Sequence, residues 1–174
     1  MVALKGEHIY LRALEPKDLD FLYQIENDPS IWEVSHTQTP YSKYVLKQYL
    51  KNSHKDIYEA KQLRLAVCAS NGKLLGLVDL YDFDPQHKRA GVGIIISAEE
   101  DRNKGYGRSA LNLLCDYAFG PLHLHQLYAC IGEGNEASLA LFKSLGFVQC
   151  GRQKDWIFAG GTFKDQLMFQ RMNT

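Results

Sequence analysis

Between residues 91 and 107 the chain reads Gly-Val-Gly-Ile-Ile-Ile-Ser-Ala-Glu-Glu-Asp-Arg-Asn-Lys-Gly-Tyr-Gly, and no other stretch limits the fold as strongly. The β-branched run makes a strand that stops at a polar loop. The loop ends in Arg102-Asn103-Lys104-Gly105-Tyr106-Gly107, and an amphipathic pattern begins at once, with Ala110, Leu111, Leu114, Tyr117 and Ala118 at helical spacing. Glycines at 105 and 107 let the backbone approach a ligand closely, and the exposed N–H groups of a first helical turn point toward negative charge. The arrangement predicts a phosphate-bearing ligand. Gly120-Pro121 ends the helix, and a strand over Gln126–Ile131 makes the connection a right-handed crossover.

With 174 residues, 45% hydrophobic content and no Pro/Gly/Ser-rich linker, the chain is expected to form one domain over 1–174. Lys+Arg and Asp+Glu both number 20, so no global positive field draws nucleic acid or an anionic membrane, and a small partner is expected. Cysteines 68, 115, 130 and 150 form no Cys-x-x-Cys pair and sit in apolar stretches, which fits reduced thiols better than disulfides or zinc. His123 and His125 have no Cys or carboxylate at metal spacing, so no metal site is expected. No apolar run approaches the roughly 20 residues of a membrane helix, and no charged-then-apolar leader pattern is seen, which makes the cytoplasm the expected location.

The remaining elements read as a strand over 8–14, a helix opened by Glu15-Pro16-Lys17-Asp18 and ended by Asp28-Pro29, and a second helix after Pro40 capped by Ser42. Between the helices, Ser30–Thr39 reads as an irregular loop carrying Trp32, Glu33 and His36, a natural place for substrate contacts. Two strands, Gln62–Ser70 and Lys73–Phe83, are joined at Asn71-Gly72, and a third covers Arg89–Ser97. A helix over Asn135–Leu145 is closed by Gly146, and two strands joined at Gly160-Gly161 complete the chain. The order β-α-α-β-β-β-α-β-α-β-β implies an α/β (α+β) fold with a mixed, mostly antiparallel sheet and helices on both faces.

Arg102, Gly105 and Gly107 match the Arg/Gln-x-x-Gly-x-Gly/Ala signature, and Asn135-Glu136-Ala137-Ser138-Leu139-Ala140-Leu141-Phe142-Lys143-Ser144-Leu145-Gly146-Phe147 resembles a second cofactor helix with a Leu-Gly-Phe exit. In these features, and over essentially its whole length, the chain resembles the GNAT superfamily of acyl-CoA-dependent N-acetyltransferases. Through Gly76–Leu80, His87–Ala90 and Ile94–Ser97 it is most similar to the branch holding the spermidine and ribosomal-protein alanine N-acetyltransferases. The resemblance implies acetyl-CoA as cosubstrate. Its pyrophosphate would rest on Arg102, Asn103, Lys104, Gly105, Tyr106, Gly107 and Arg108, and its pantetheine beside Ile94, Ile95, Ile96 and Ser97. Asn135, Ser138 and Phe142 would complete the cofactor site from the second helix. An extended arm can pair with free backbone groups where two strands splay, and one such N–H can polarise a thioester carbonyl.

The resemblance further implies direct attack by a primary amine, of a polyamine or a protein N-terminus, with no covalent enzyme intermediate. Where family members commonly carry an acidic tyrosine, this chain has Phe142, and a phenyl ring donates no proton. Ser138, one turn earlier on the same face, is the candidate to assist thiolate departure; the bland alternative is a serine bonding its own backbone. Glu33 and Asp82 align with acidic residues of the amine site, and Asp82 could also relay a proton. Against this, Asp82 could cap a strand end and Glu33 could be solvated. Asp79 alternates to the other face of its strand, so the two aspartates are not expected to share one site. Trp32, Tyr44, Tyr49 and Tyr58 suit an aromatic amine pocket and suit core packing equally well.

Two rival readings stand beside this one. Gly105-Tyr106-Gly107-Arg108-Ser109-Ala110 also fits a dinucleotide fingerprint, but the strand ends near Ser97 and no acid lies roughly 20 residues on, where His125 and Gln126 stand. A non-catalytic CoA-binding sensor is the second, motivated by Phe142. A homo-oligomer, with a dimer as the default, is the expected assembly.

Overall fold

The computed structural model describes residues 4–174, so the first three residues of the expected 1–174 unit lie outside the described residues. Seven strands form one sheet in the order β1-β2-β3-β4-β5-β7-β6. They are β1 Ile9–Ala13, β2 Leu63–Ala69, β3 Leu74–Asp84, β4 Arg89–Ile96, β5 Gln126–Gly132, β6 Val148–Ala159 and β7 Thr162–Met172. Every neighbouring pair is antiparallel except β4 with β5. Among the described residues six α-helices accompany the sheet: α1 Leu19–Glu26, α2 Pro29–Ser35, α3 Lys43–Lys51, α4 Ile57–Ala60, α5 Tyr106–Phe119 and α6 Glu136–Ser144. The fold class expected from the element order is the one found.

The sheet separates two apolar clusters, and strand alternation feeds both. Leu65, Val67, Val78 and Leu80 point to a cluster covered by α5 and α6, where Ala110, Leu111, Leu114, Ala118, Leu139 and Phe142 are buried. Ala66, Cys68 and Leu77 point the other way, onto Leu22, Ile25, Ile31, Leu46 and Leu50 of α1, α2 and α3. Helices therefore occupy both faces. Among the described residues no helix is long and apolar enough to cross a membrane, and no group of three His, Cys, Asp or Glu side chains is placed to hold a metal ion.

Two departures from the sequence reading concern the first helices. The stretch 30–39 is not wholly irregular, because α2 occupies Pro29–Ser35. The Asp28 carboxylate accepts from the Ser30 N–H at 2.9 Å and Pro29 takes the first helical turn, so the dipeptide that ends α1 also starts α2. The one-turn α4, capped by Asp56 onto the Glu59 N–H, was not anticipated; four residues are too few to show periodicity.

A bidentate pair fixes the helical layer to the sheet. Arg12 of β1 donates to both Asp18 oxygens, at 2.7 and 2.9 Å, and the same carboxylate accepts from the Glu15 N–H at 2.8 Å. Asp18 is buried at 4% exposure. Burial works to raise its pKa, but the Arg12 guanidinium and the Glu15 N–H overcome that and hold it below its ordinary value. A carboxylate depressed on folding contributes stability above its unfolded pKa, near 3.9, and loses it as pH falls through the lower folded value. Asp18→Asn is therefore expected to cost about 2 kcal/mol at pH 7 and to remove part of the acid-induced loss of stability below about pH 4, measured by urea unfolding across pH.

Candidate active site

The one parallel pairing of the sheet is short. It joins Arg89 to Gln126, Ala90 to Leu127 and Gly91 to Tyr128, then stops. Past that point β4 stays paired to β3 as far as Ile96 and β5 to β7 as far as Gly132, so the two strands diverge with their facing edges open. Val92–Ile95 and Ala129–Gly132 line the resulting gap, which opens into a cleft of about 1470 Å³. Asn135, Ser138 and Phe142 of the α6 segment form part of its wall, and Trp32 to Gln38 another. The tip of the β6–β7 hairpin closes a further side with Trp156, Ile157, Phe158, Lys164 and Gln166.

The glycine loop lies beyond the end of β4. Gly105 adopts φ 83°, a left-handed conformation that glycine takes without strain, and stands as the N-cap of α5. No side chain caps that helix, so the Tyr106, Gly107 and Arg108 N–H groups of the first turn are unclaimed by a cap. Arg102 bonds inward: Nε donates to the Ile96 carbonyl and one Nη to the Ser97 carbonyl, each at 3.2 Å, which folds the loop back onto β4. The buried Asp101 carboxylate receives Lys73 at 2.7 Å and has Lys104 at 3.9 Å, tying the β2–β3 hairpin to the loop. Arg108 and Lys104 are exposed. This loop, Ile96 and Ser97 adjoin the cleft through β4 and are not part of its lining.

The expected site residues divide accordingly. Glu33, Ile94, Ile95, Asn135, Ser138 and Phe142 share the cleft. Asn135 caps α6 with its side-chain oxygen, 3.3 Å from the Ser138 N–H. The Ser138 hydroxyl is half-buried and does not take up its own backbone in the way that Ser144 Oγ bonds Leu141, at 2.7 Å, two turns later. Phe142 is 3% exposed and packs edge-on against Phe147, ring centroids 5.1 Å apart, as a core residue at the cleft wall. Glu33 is paired with Lys164 at 2.6 Å.

Asp82 does not join them. It is exposed, at φ 47°, in a bulge where the β3–β4 register shifts between Tyr81 and Asp84. The aspartate of this strand that lines the cleft is Asp79, with Tyr81 two residues on and on the same face. The two aspartates stand apart, as alternation requires, with the roles of their faces exchanged. Of the four aromatics, Trp32 lines the cleft and donates Nε1 to the Glu26 carbonyl at 2.9 Å, Tyr49 packs in the core, Tyr58 stacks edge-on with Phe83, and Tyr44 is exposed.

Sequence reasoning missed the charged group at the cleft floor. Arg64 Nε lies 2.6 Å from Asp79 and one Nη 2.5 Å from Glu26, so β2, β3 and α1 meet in one ion network. Burial disfavours the Arg64 charge, and Asp79 and Glu26 outweigh it, holding the guanidinium above its ordinary pKa. The available signal was an arginine inside the otherwise apolar strand Leu63–Ala69, since a buried charge must find partners.

A family model described as an acetyltransferase (GNAT) domain matches residues 8–148. The spermidine N(1)-acetyltransferase of Vibrio cholerae is 32% identical over 160 residues, covering 92% of this chain and 90% of the relative. Its Escherichia coli K12 counterpart is 31% identical, covering 91% and 83%. A crystal structure of spermidine N-acetyltransferase from Vibrio cholerae in complex with CoA and spermine superposes with a TM-score of 0.85 at 30% identity, covering 95% of each chain.

Removing Arg64 leaves two carboxylates facing each other without their shared cation. Arg64→Met is expected to destabilise by about 2–3 kcal/mol in denaturant unfolding, less than the roughly 3–5 kcal/mol of a fully buried pair because part of the side chain meets solvent.

Proposed function

The chain belongs to the GNAT acetyltransferase family, and from that premise we propose that it transfers the acetyl group of acetyl-CoA to a primary amine of a polyamine such as spermidine. The observation that carries the reading is the gap between β4 and β5, open after three paired residues, with the uncapped N-terminus of α5 beyond the far end of β4. These features fit the cosubstrate. The backbone edge of Val92–Ile95, left open by β5, suits an extended amide-bearing arm that would run on past Ile96 and Ser97 toward the loop. The first-turn N–H groups after Gly105, with Arg102, Asn103, Lys104 and Arg108 around them, suit its phosphates. Bound there, acetyl-CoA supplies the activated acyl group.

The residues of the chain supply the rest. A β4 amide N–H polarises the carbonyl, and Ser138, which lines the cleft from the first turn of α6, hydrogen-bonds the departing sulfur. Carboxylates of Glu33, Asp79 and Glu133 line the cleft, with Trp32, Trp156 and Phe158 offering π-faces, a set suited to ammonium groups. Lys164 occupies Glu33, so an incoming ammonium displaces it. Direct attack needs a neutral amine, and water in the cleft carries the proton away.

The deciding experiment is thiol release from acetyl-CoA against spermidine, spermine, alanine-terminated peptides and aminoglycosides, with calorimetric CoA binding alongside. Turnover on the polyamines is the expected result. Turnover confined to peptides would move the acceptor to protein N-termini, and CoA binding without turnover would mark a sensor. Within that assay Ser138→Ala should lower turnover about tenfold at saturating substrate. Glu33→Gln should raise the KM for spermidine about fivefold with little effect on acetyl-CoA, and Lys164→Met should lower the same KM by freeing Glu33. Equal KM values in both variants would remove Glu33 from the amine site.

A further inference from the structure

The closed end of the β4–β5 gap has its own construction. Tyr81 of β3 faces Gly91 of β4, the last residue of β4 to pair with β5. Its ring lies flat over that glycine: a Cβ at position 91 would stand 2.3 Å from two ring carbons. The ring thus crosses β4 where any side chain would block it and reaches β5, edge-on to Tyr128 with centroids 5.9 Å apart. Its phenol stands beside the Cys130 thiol, and both residues line the cleft. Gly91 is needed for a close approach, and what approaches is a proton-bearing group.

Position along β4 gives the group its use. An arm anchored at the loop beyond Ile96 and extended along β4 from Ile96 to Val92 spans four residue steps, about 13 Å at ~3.3 Å each, and ends next to Gly91. A thioester carried at the end of that arm meets the closed end of the gap. Phe142 packs edge-on against Phe147 in the core and has no proton to give. Resting on the acetyl-CoA reading above, we propose that Tyr81 donates the proton that converts the departing thiolate to a thiol.

The balance closes without a further reagent. The amine nitrogen bonds the acyl carbon, the C–S bond breaks with its electron pair on sulfur, and sulfur takes the phenol proton. The proton shed by the nitrogen returns through water to the phenolate. A phenol, ordinarily near pKa 10, is closer in acidity to a thiol near 8.5 than a serine hydroxyl is. Burial, and next to it the Cys130 thiol, pushes the Tyr81 phenol further up and keeps it protonated. The same dry surroundings make a thiolate more basic, which preserves the drive for transfer. The titratable groups around the phenol are Asp82 on its own strand and Tyr128 and Cys130 on β5, none of them cationic.

Tyr81→Phe keeps the ring over Gly91 and removes the hydroxyl alone. The expected result is a kcat lower by about a hundredfold with both KM values within about threefold. A second readout is independent of turnover: calorimetric affinity at pH 9 for CoA against a CoA analogue lacking the sulfur. The wild-type protein should prefer CoA by about tenfold, and Tyr81→Phe should bind the two alike. Wild-type kcat in the variant, or an undiminished preference for the sulfur, overturns the proposal. Equal weakening toward both compounds would assign Tyr81 to shaping the gap and overturn it too. A wild-type protein that releases no thiol with any amine removes the acetyl-transfer reading as well, whereas active wild-type and equally active variant remove only the role of Tyr81.

Discussion

Three residue pairs of parallel strand join the two halves of this sheet, and the functional geometry depends on their being only three. A longer ladder would satisfy the β4 and β5 edges and leave nothing for a ligand to pair with. A shorter one would leave the β5–β7–β6 half without backbone attachment to the rest. Packing makes up for the missing bonds. Helix α5, the crossover between the two strands, buries Ala110, Leu111, Leu114, Cys115 and Ala118 in a cluster that also takes Leu127, Ala129 and Ile131 from β5 and Ala90 and Val92 from β4. The strands separate at their backbones while their side chains stay in one core, so the open edge is held rigid on both sides.

Charge anchors the opposite face in the same economical way. Arg12 with Asp18 and Arg64 with Glu26 and Asp79 are the partly buried ion groups that link sheet to helices, and both bridge β-strands to the segment that begins α1 or belongs to it. They differ in consequence. The first lies away from the cleft, whereas Arg64 and Asp79 form its floor, so the network that orients α1 also sets the charge seen by an occupant. Such pairs specify one arrangement at modest net gain, because desolvation consumes much of the Coulomb energy.

What the sequence disclosed follows from which interactions are local. The Gly105 and Gly107 loop, the α5 boundaries at Tyr106 and Phe119, the Asn71-Gly72 turn and the Ser42 cap depend on near neighbours in the chain and were legible. The divergence of β4 from β5 could be anticipated in kind, but not its start after Gly91, where Tyr81 lies across the strand in a contact between distant residues. Asp79 was assigned to the wrong side because alternation tells which residues share a face and not which face the cleft occupies. Trp156, Phe158 and Lys164 enter the cleft from a hairpin far along the chain, and no local pattern announces that.

The cleft must reconcile two electrostatic demands on an amine. Carboxylates that hold ammonium groups also stabilise their charge, which works against the loss of the proton that nucleophilic attack requires. A cluster of unpaired acids would bind the acceptor well and keep it unreactive. Here Glu33 is matched by Lys164 and Asp79 by Arg64, which reduces the negative field without abolishing it. The open part of the gap is lined instead by Val92, Ile94, Ala129, Ile131 and Phe142, an apolar surface that disfavours a charged nitrogen and favours a neutral one. For the polyamine acceptor proposed above, separation of these two surfaces would let one ammonium remain charged among the paired acids while the reacting nitrogen is desolvated as a free amine. A substrate with two or more amines several ångströms apart satisfies both demands at once, and a single small amine satisfies only one.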